Sequence, residues 1–397
     1  MNKIEKMIKE LCPNGVEWKK LGEICVKVSS GGTPNSKNSA FYNGDIPWLR
    51  TQEINFKNIY ETEMKITQEG MNNSSAKWIP ANCVIVAMYG ATVGKIGINK
   101  IPLTTNQACC NLEINSDMAL YKYVFYCLCS QYEYIKSLGE GSQTNINAQI
   151  VKNLQIPLPP LPIQTEIVRI LDKFVEQQEQ LERLIELRKK QYEYYREEML
   201  KPKEGEKWET KTLGEIGTFV RGNGLQKTDF REEGVGCIHY GQIYTYYGMF
   251  TNKTKSFVSP ELASKLKKVE QGDIVLACTS ENIEDVCMCV VWEGKETIVT
   301  GGHSSIYKHN ENPRFIAYFL KSKAFEVQKI KYAYGAKVID IKNDDLEKIY
   351  IFLPSREKQD EIVESLNKFE SSIESLKFSL ESSRRRYEYY RNEMMRF

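Results

Sequence analysis

A chain of 397 residues, 41% apolar and 27% charged with a net charge of +2 at pH 7, has room for two or three domains, each able to bury its own core. That near-neutral balance excludes a protein that coats nucleic acid by bulk charge, so phosphate-neutralising cations must be local or come from a partner. No run reaches the ~18–20 apolar residues of a membrane span and Met1–Lys6 has no apolar leader stretch, which points to the cytoplasm and to no membrane partner.

In chain order, Trp18-Lys19-Lys20-Leu21-Gly22-Glu23-Ile24 opens a globular stretch. Short β-rich runs follow at Cys83–Met88 and Lys95–Ile98, and 3.6-residue apolar spacing predicts one helix over Leu120–Ser137. The prolines of Ile156-Pro157-Leu158-Pro159-Pro160-Leu161-Pro162 end that domain, because proline suits a first helical turn and not a helix interior. From Ile163 to Leu200 no proline or glycine occurs, which predicts one long helix. The plan then starts again. Trp208 and Leu213-Gly214-Glu215-Ile216 open a second stretch, strand-like runs lie at Asp273–Cys278 and Val286–Trp292, and a helix is predicted over Pro313–Lys331. Ile351-Phe352-Leu353-Pro354 closes it, and no breaker interrupts the chain from there to Phe397. The predicted domains are 1–159, a spacer helix over 160–201, a second domain over 202–354 and a C-terminal helix over 355–397.

The repeat is explicit in the letters. Tyr192-Glu193-Tyr194-Tyr195-Arg196 recurs as Tyr387-Glu388-Tyr389-Tyr390-Arg391, and Gln164, Ile167-Val168 and Phe174 return at the same offset as Gln359, Ile362-Val363 and Phe369. A repeat of this kind decides the architecture before any single motif does. Residues 25–150 and 217–345 share little beyond a coarse pattern, so the helices and borders are alike while the interiors differ. Two equal tasks on two different ligands would produce that contrast.

Read in alternating steps of three and four, the first long helix gives Leu171, Phe174, Gln178, Leu181, Ile185, Arg188, Tyr192, Tyr195 and Met199. The second gives Leu366, Phe369, Ile373, Leu376, Leu380, Ser383, Tyr387, Tyr390 and Met394. This is a coiled-coil seam over about four heptads, in which Gln178, Arg188 and Ser383 are the polar interruptions that commonly fix register. Packing on a single small domain would not cover so long and narrow a stripe, so the two helices are expected to pair with each other, antiparallel because a whole domain intervenes between them. The expected fold is therefore α/β (α+β) in two copies, separated by two long antiparallel coiled-coil helices with a pseudo-twofold repeat. About 37 residues at ~1.5 Å each makes a rod of ~55 Å, able to space two sites roughly one to one and a half duplex turns apart.

The loops are rich in groups that read nucleic acid. Asn and Gln pair with adenine, and Arg and Lys with guanine, through two hydrogen bonds each, while Ser, Thr, Tyr and backbone amides suit phosphates. Any one such loop is also an ordinary polar turn. The candidate DNA-contacting residues are Ser30, Thr33, Arg50, Gln52, Tyr89, Lys95, Gln143 and Asn145 in the first domain. In the second they are Arg221, Asn223, Tyr240, Gln242, Tyr244, Ser280, His303, Ser304 and Lys337.

Catalytic signatures fail on inspection. Gly90-Ala91-Thr92-Val93-Gly94-Lys95 is one residue short of a phosphate-binding loop, Ile96 stands where the magnesium-binding hydroxyl belongs, and the second copy has Glu281-Asn282-Ile283-Glu284-Asp285 instead. No dinucleotide fingerprint occurs, and Pro159-Pro160 is followed by Leu161 rather than by the aromatic residue of an amino-methyltransferase motif. All three histidines, His239, His303 and His309, lie in one half, so a histidine-dependent site would leave the other copy inert. The 11 cysteines are odd in number and contain no C-x-x-C, which fits small buried hydrophobes rather than a zinc site.

The border motifs resemble a family. Leu11-Cys12-Pro13-Asn14-Gly15-Val16-Glu17-Trp18 leading to Leu21-Gly22-Glu23-Ile24, Leu158-Pro159-Pro160-Leu161-Pro162-Ile163-Gln164 with Ile167-Val168-Arg169-Ile170-Leu171-Asp172-Lys173-Phe174, and both Tyr-Glu-Tyr-Tyr-Arg motifs are similar in combination to the specificity subunit of a Type I restriction–modification system, over essentially the whole length. The resemblance implies two variable recognition domains that each read half of a split double-stranded DNA target. It also implies helices that set the gap and dock two methyltransferase subunits, with restriction subunits in the full complex. S-adenosylmethionine, ATP and Mg would then sit on those partners, with no cofactor and no metal on this non-catalytic chain. The start of the second copy is longer before its Leu-Gly-Glu-Ile mark than the first. Base-reading residues do not carry over, because the family's recognition loops vary. The alternatives are a methyltransferase or nuclease fusion and a coiled-coil adaptor that binds proteins.

Overall fold

The computed structural model describes residues 2–139 and 145–397. Its contacts divide the chain into two compact units, residues 1–182 with 378–397, and residues 183–377.

In the first unit the strands are β1 (Trp18–Lys20), β2 (Cys25–Ser30), β3 (Tyr42–Leu49), β4 (Asn58–Ile59), β5 (Met64–Ile66), β6 (Trp78–Ile79), β7 (Val84–Ala87), β8 (Ile96–Asn99), β9 (Leu103–Thr105), β10 (Cys109–Ile114) and β11 (Gln155–Pro157). They form a five-stranded sheet in the order β2-β10-β7-β8-β4, a four-stranded sheet in the order β5-β3-β9-β6, and the pair β1-β11. β7 is buried on both faces, as a continuous β-branched run requires of a central strand. Its alternating side chains then divide the unit into layers. Val84 and Val86 face a core shared with the helix Tyr121–Ser130 and with Ile163, Ile167 and Leu171 of the first long helix. Ile85 and Ala87 face Leu49, Ile59 and Leu103 between the two sheets.

The second unit has β12 (Glu209–Thr212), β13 (Gly217–Arg221), β14 (Val235–Ile238), β15 (Phe250–Thr251), β16 (Ser256–Val258), β17 (Lys267–Val269), β18 (Ile274–Ala277), β19 (Thr279–Ser280), β20 (Cys289–Trp292), β21 (Ile298–Thr300), β22 (Ser304–His309), β23 (Ile339–Asp340) and β24 (Tyr350–Leu353). Its sheets run β13-β22-β18-β20-β15 and β16-β14-β21-β17. This is the first unit's order strand for strand, including the parallel edge (β15 on β20, as β4 on β8) and the parallel pair inside the smaller sheet (β14 with β21, as β3 with β9). The frame is repeated where the letters are not. Ile274 and Leu276 face the helices, and Val275 and Ala277 face the second sheet.

Two expectations need correction. Each predicted single helix is two, Tyr121–Ser130 with Tyr132–Ser137 and Pro313–Leu320 with Lys323–Lys329. In the second unit the break lies at Ser322, whose hydroxyl accepts from the Phe325 N–H and caps a new helix. The strand expected from Val286 begins only at Cys289, because the preceding residues form a turn in which Cys287 has a φ of 69°.

The long helices run over Leu161–Met199 and Arg356–Met394. They are antiparallel in the first unit, where Phe174 stacks on Tyr390 at 5.6 Å and Gln177 meets Ser383 at 3.3 Å. In the second unit the exchanged pair appears, Tyr195 stacking on Phe369 at 5.3 Å. Leu171, Ile185, Tyr192, Leu366, Ile373 and Leu380 of the seam are buried, and Leu181, Leu376 and Tyr387 are half-buried. Arg188 interrupts the seam by placing its guanidinium 5.8 Å from the Phe369 ring centre. Each domain is locked to its following helix by a buried glutamine. Gln164 accepts from the Leu120 N–H and donates to Met118 O and Pro159 O, and Gln359 accepts from the Asn312 N–H and donates to Pro354 O and Glu311. A second lock joins the Tyr126 hydroxyl to Asp172 and the Tyr318 hydroxyl to Asn367.

His309, at the end of β22, accepts from the Glu311 N–H through Nδ1. Burial, with Arg356 nearby, pushes its pKa down to about 4. A histidine whose folded pKa is depressed contributes stability that is complete above the unfolded value of ~6.5 and is lost as pH falls from there through 4. The second unit is therefore expected to lose roughly 2–3 kcal/mol over that window. Unfolding of wild type and His309→Asn at pH 7 and pH 4.5 checks this. Equal acid sensitivity of the two proteins would contradict it.

Candidate nucleic-acid interface

In the first unit one end of the sheets is assembled by close backbone approach. Gly31 and Gly32 carry the chain from β2 across to the smaller sheet. The Gly32 N–H donates to Thr105 O at 2.9 Å, the Trp48 Nε1–H donates to Gly32 O at 2.9 Å, and a Cβ at Gly31 would lie 1.8 Å from Thr105 O. Only glycine fits there. The Asn106 N–H reaches Leu49 O, the Ile146 N–H reaches Met88 O, and the Gly90 N–H reaches Asn145 Oδ1 at 3.2 Å. The exits of β2, β3, β7 and β9 and the segment at 145–146 thus meet at one place.

Ser30 is half-buried and Thr33 is exposed, its hydroxyl donating to Gln107. Arg50 is held by Glu63 at 2.5 Å and Glu53 at 3.6 Å, and Gln52 reaches the same Glu63 carboxylate at 3.5 Å. Tyr89 is 40% exposed at the tip of the β7 turn, and Lys95 donates to Asn55 Oδ1 at 2.9 Å. Gln143 lies outside the described residues.

The second unit builds the same end with other side chains. The Gly222 N–H donates to Ser304 O, the Gly302 N–H to Gly224 O, and the Cys278 N–H to His303 O. Arg221 works as a clasp here, donating to Gly302 O, Ile341 O and Asp340 at 3.1–3.2 Å. Gln242 is buried between the His239 N–H and the Ser256 hydroxyl, and Ser304 is wholly buried. The Tyr240 ring lies 4.5 Å from His239 and 4.8 Å from His303, and His303 meets the Thr279 hydroxyl at 3.1 Å. The Tyr244 hydroxyl donates to Thr279 O, and the Ser280 hydroxyl accepts from the Asn282 N–H. Asn223, His303 and Lys337 are exposed, Lys337 on the turn between Tyr334 and Asp340, which form an isolated antiparallel bridge.

Both ends therefore offer amides, hydroxyls, aromatic rings and cations. Burial pushes the thiols of Cys25, Cys83, Cys110, Cys237 and Cys278 up to about 12, which leaves them protonated and unreactive at neutral pH. Among the described residues no group of three His, Cys, Asp or Glu could hold a metal ion, and no helix is long and apolar enough to cross a membrane. Sequence reading missed Glu53 and Glu63, which neutralise Arg50, and missed the clasp role of Arg221. Glu53 is a local i,i+3 partner of Arg50, whereas Glu63 lies 13 residues from Arg50 and the partners of Arg221 lie 81 to 120 residues away, at distances no local pattern reports.

The family model for the Type I restriction modification DNA specificity domain matches the chain twice, over residues 13–189 and 205–382. The specificity subunit of the Type I restriction enzyme EcoR124I/EcoR124II from Escherichia coli is 37% identical over 194 residues, 46% of this chain and 47% of that protein, so the alignment spans about half of that relative's length. The Type I restriction enzyme MjaIX specificity subunit from Methanocaldococcus jannaschii is 26% identical over 394 residues, 92% of this chain and 87% of that one. Two solved structures share the fold. A chain from a structural study of Type I system assembly and conformational transition has a TM-score of 0.63 at 19% identity, covering 97% and 98% of the two chains. The S subunit of a Type I system from M. genitalium has a TM-score of 0.54 at 18% identity, covering 97% of each.

Proposed function

Because this chain belongs to the Type I restriction modification DNA specificity family, we propose that it selects the double-stranded DNA target of such a system as two half-sites, one read by each unit. The chain is a DNA-recognition specificity subunit. The observation that carries the two-half reading is that the five-stranded and four-stranded sheets keep one strand order in both units under unlike loops, the second unit adding the pair β19-β23. Gly31-Gly32-Thr33 answers to Gly222-Asn223-Gly224, and Tyr89 to Lys95 answers to Thr279 to Met288. A shared frame with different surface chemistry suits two readers of different sequences.

Of the candidate residues, those with outward chemistry fit base or phosphate contact best. They are Thr33, Gln52, Tyr89, Asn223, His303 and Lys337, with Tyr240 and Ser280 beside them. Arg221, Gln242 and Ser304 fit a supporting role. Two methyltransferase subunits, one for each copy of the Tyr-Glu-Tyr-Tyr-Arg surface, are the proposed partners. In its support, Tyr194 and Tyr389 stand at equivalent positions and are 62% and 58% exposed. Restriction subunits complete the proposed assembly. Methyl transfer and cleavage, with S-adenosylmethionine, ATP and Mg, belong on those partners in this reading, and the paired helices set the gap.

Selection from a random duplex library by the complex with methyltransferase subunits tests it. The expected product is a bipartite motif with a fixed gap, each wrong base pair costing ~1–3 kcal/mol. A continuous motif would count against the two-reader arrangement. Methyl transfer by the purified chain alone would favour the enzyme alternative.

A further inference from the structure

The turn between β18 and β20, residues 281–288, is held at the recognition end of the second unit by a device with no counterpart among the first unit's described residues. Cys287 has a φ of 69° and is 2% exposed, and its N–H donates to Ala277 O at 2.8 Å. Gly94 occupies the matching place in the first unit, with a φ of 77° and its N–H on Ala87 O at 2.8 Å. Glycine takes that conformation without a steric cost, whereas a residue with a Cβ does not. Backbone held in this region persists only where its surroundings over-determine it.

The over-determining group is Lys329. It ends the helix Lys323–Lys329, is 4% exposed, and donates from Nζ to Glu284 O at 3.0 Å and to Val286 O at 3.1 Å. One ammonium thus gathers two carbonyls of the turn on either side of Asp285. Packing alone would not do so, because a cavity of about 320 Å³ opens beside the turn between Cys287, Met288, Phe325 and Lys329. In the first unit the corresponding helix Tyr132–Ser137 closes directly on its turn, with Tyr132 3.4 Å and Ile135 3.5 Å from the Cβ position of Gly94. The far side of the second unit's turn is stiffened by Asn282 and Asp285, which exchange two hydrogen bonds of 2.8 Å. Glu281 and Asn282 are exposed.

We propose that Lys329 is a positioning residue for base reading, its buried ammonium holding the 281–288 turn, and with it Asn282, as a specificity-determining element of the second half-site. This rests on the reading that the second unit contacts DNA.

The test uses the complex with methyltransferase subunits and the duplex that wild type selects. Lys329→Met is expected to lower affinity at least tenfold and to flatten base preference in the second half-site, with first-half preferences unchanged. Lys329→Arg, which keeps the donors, should restore both. Adding Cys287→Gly to Lys329→Met should recover part of the loss, because glycine holds the turn without the ammonium, and a merely structural role for Lys329 predicts no such rescue of base preference. Asn282→Ala, which removes the two hydrogen bonds to Asp285 at an exposed position, should alter second-half preference alone. Wild-type preferences in Lys329→Met would overturn the proposal. If that variant fails to fold, unaltered second-half preference in Asn282→Ala overturns it. A wild-type complex that selects no duplex would instead sink the functional reading, and this inference with it.

Discussion

Replacing residues 25–150 with the corresponding stretch of another family member is expected to rewrite one half of the selected target and to leave the other half and the gap unchanged. The exits of β2, β3, β7 and β9, and the contact of Asn145 with Gly90, all lie inside that stretch. The frame that receives it, Leu21, Ile24, Leu154, Ile156 and the long helix, lies outside it. With ~1–3 kcal/mol per mismatched base pair, a half-site changed at several positions shifts preference by about a thousandfold or more. The graft carries one requirement. Asp172 receives the Tyr126 hydroxyl at 2.6 Å and the Lys122 ammonium at 2.6 Å, so the donor stretch must bring a hydroxyl and a cation to those places or leave a partly buried carboxylate without partners. Library selection with the grafted complex reads the result, and a change in both halves would contradict independent readers.

Gln359→Leu is expected to destabilise the second unit by about 3–4 kcal/mol. The amide is 1% exposed and serves three groups, the Asn312 N–H at 3.0 Å, Pro354 O at 3.0 Å and the Glu311 carboxylate at 2.7 Å. Leucine nearly conserves the volume, so the cost is that of stranded polar groups rather than of a cavity. Asn312 also caps the helix Pro313–Leu320 by accepting from the Arg314 and Phe315 N–H groups, so its displacement loosens that helix start. Gln164→Leu should act on the first unit in the same way, through Leu120, Met118 and Pro159. Calorimetry of the two variants should lower different transitions. A loss under about 1 kcal/mol in either would show that water or rearrangement satisfies the stranded groups.

The long helices and the duplication were legible because their signal is sustained. A three-four apolar alternation over about four heptads, written twice, outweighs local noise. Even so, Tyr195 is 41% exposed and contributes one stacked face rather than a buried ring, which spacing alone does not distinguish. The sheets were not legible beyond their central strands. The edge strands Asn58–Ile59 and Phe250–Thr251 are two residues long and pair in parallel with residues about 40 positions away, so no periodicity could mark them. Loop position in sequence also says nothing about side-chain direction. Tyr89 and Lys337 point outward, whereas Gln242 and Ser304, from stretches of similar composition, lie inside, on the helix Tyr240–Thr245 and at the start of β22. The turn at Gly90–Gly94 drew attention through its glycines, while its counterpart ending in Cys287 carries no glycine and gave no sign of the same backbone.

Met394, Met395 and Phe397 pack into the first unit's core beside Ile4, Tyr126 and Cys127. The second unit, by contrast, is drawn from one uninterrupted stretch of chain. On a ribosome, which delivers residues in order, the unit begun first is the one finished last. Its apolar seat for Met394 and Met395 stays uncovered until those residues have been delivered, a long-range closure of the slow, aggregation-exposed kind. A product truncated after Lys377 would carry a complete second reader and an open first one, and chaperones should bind it at that gap.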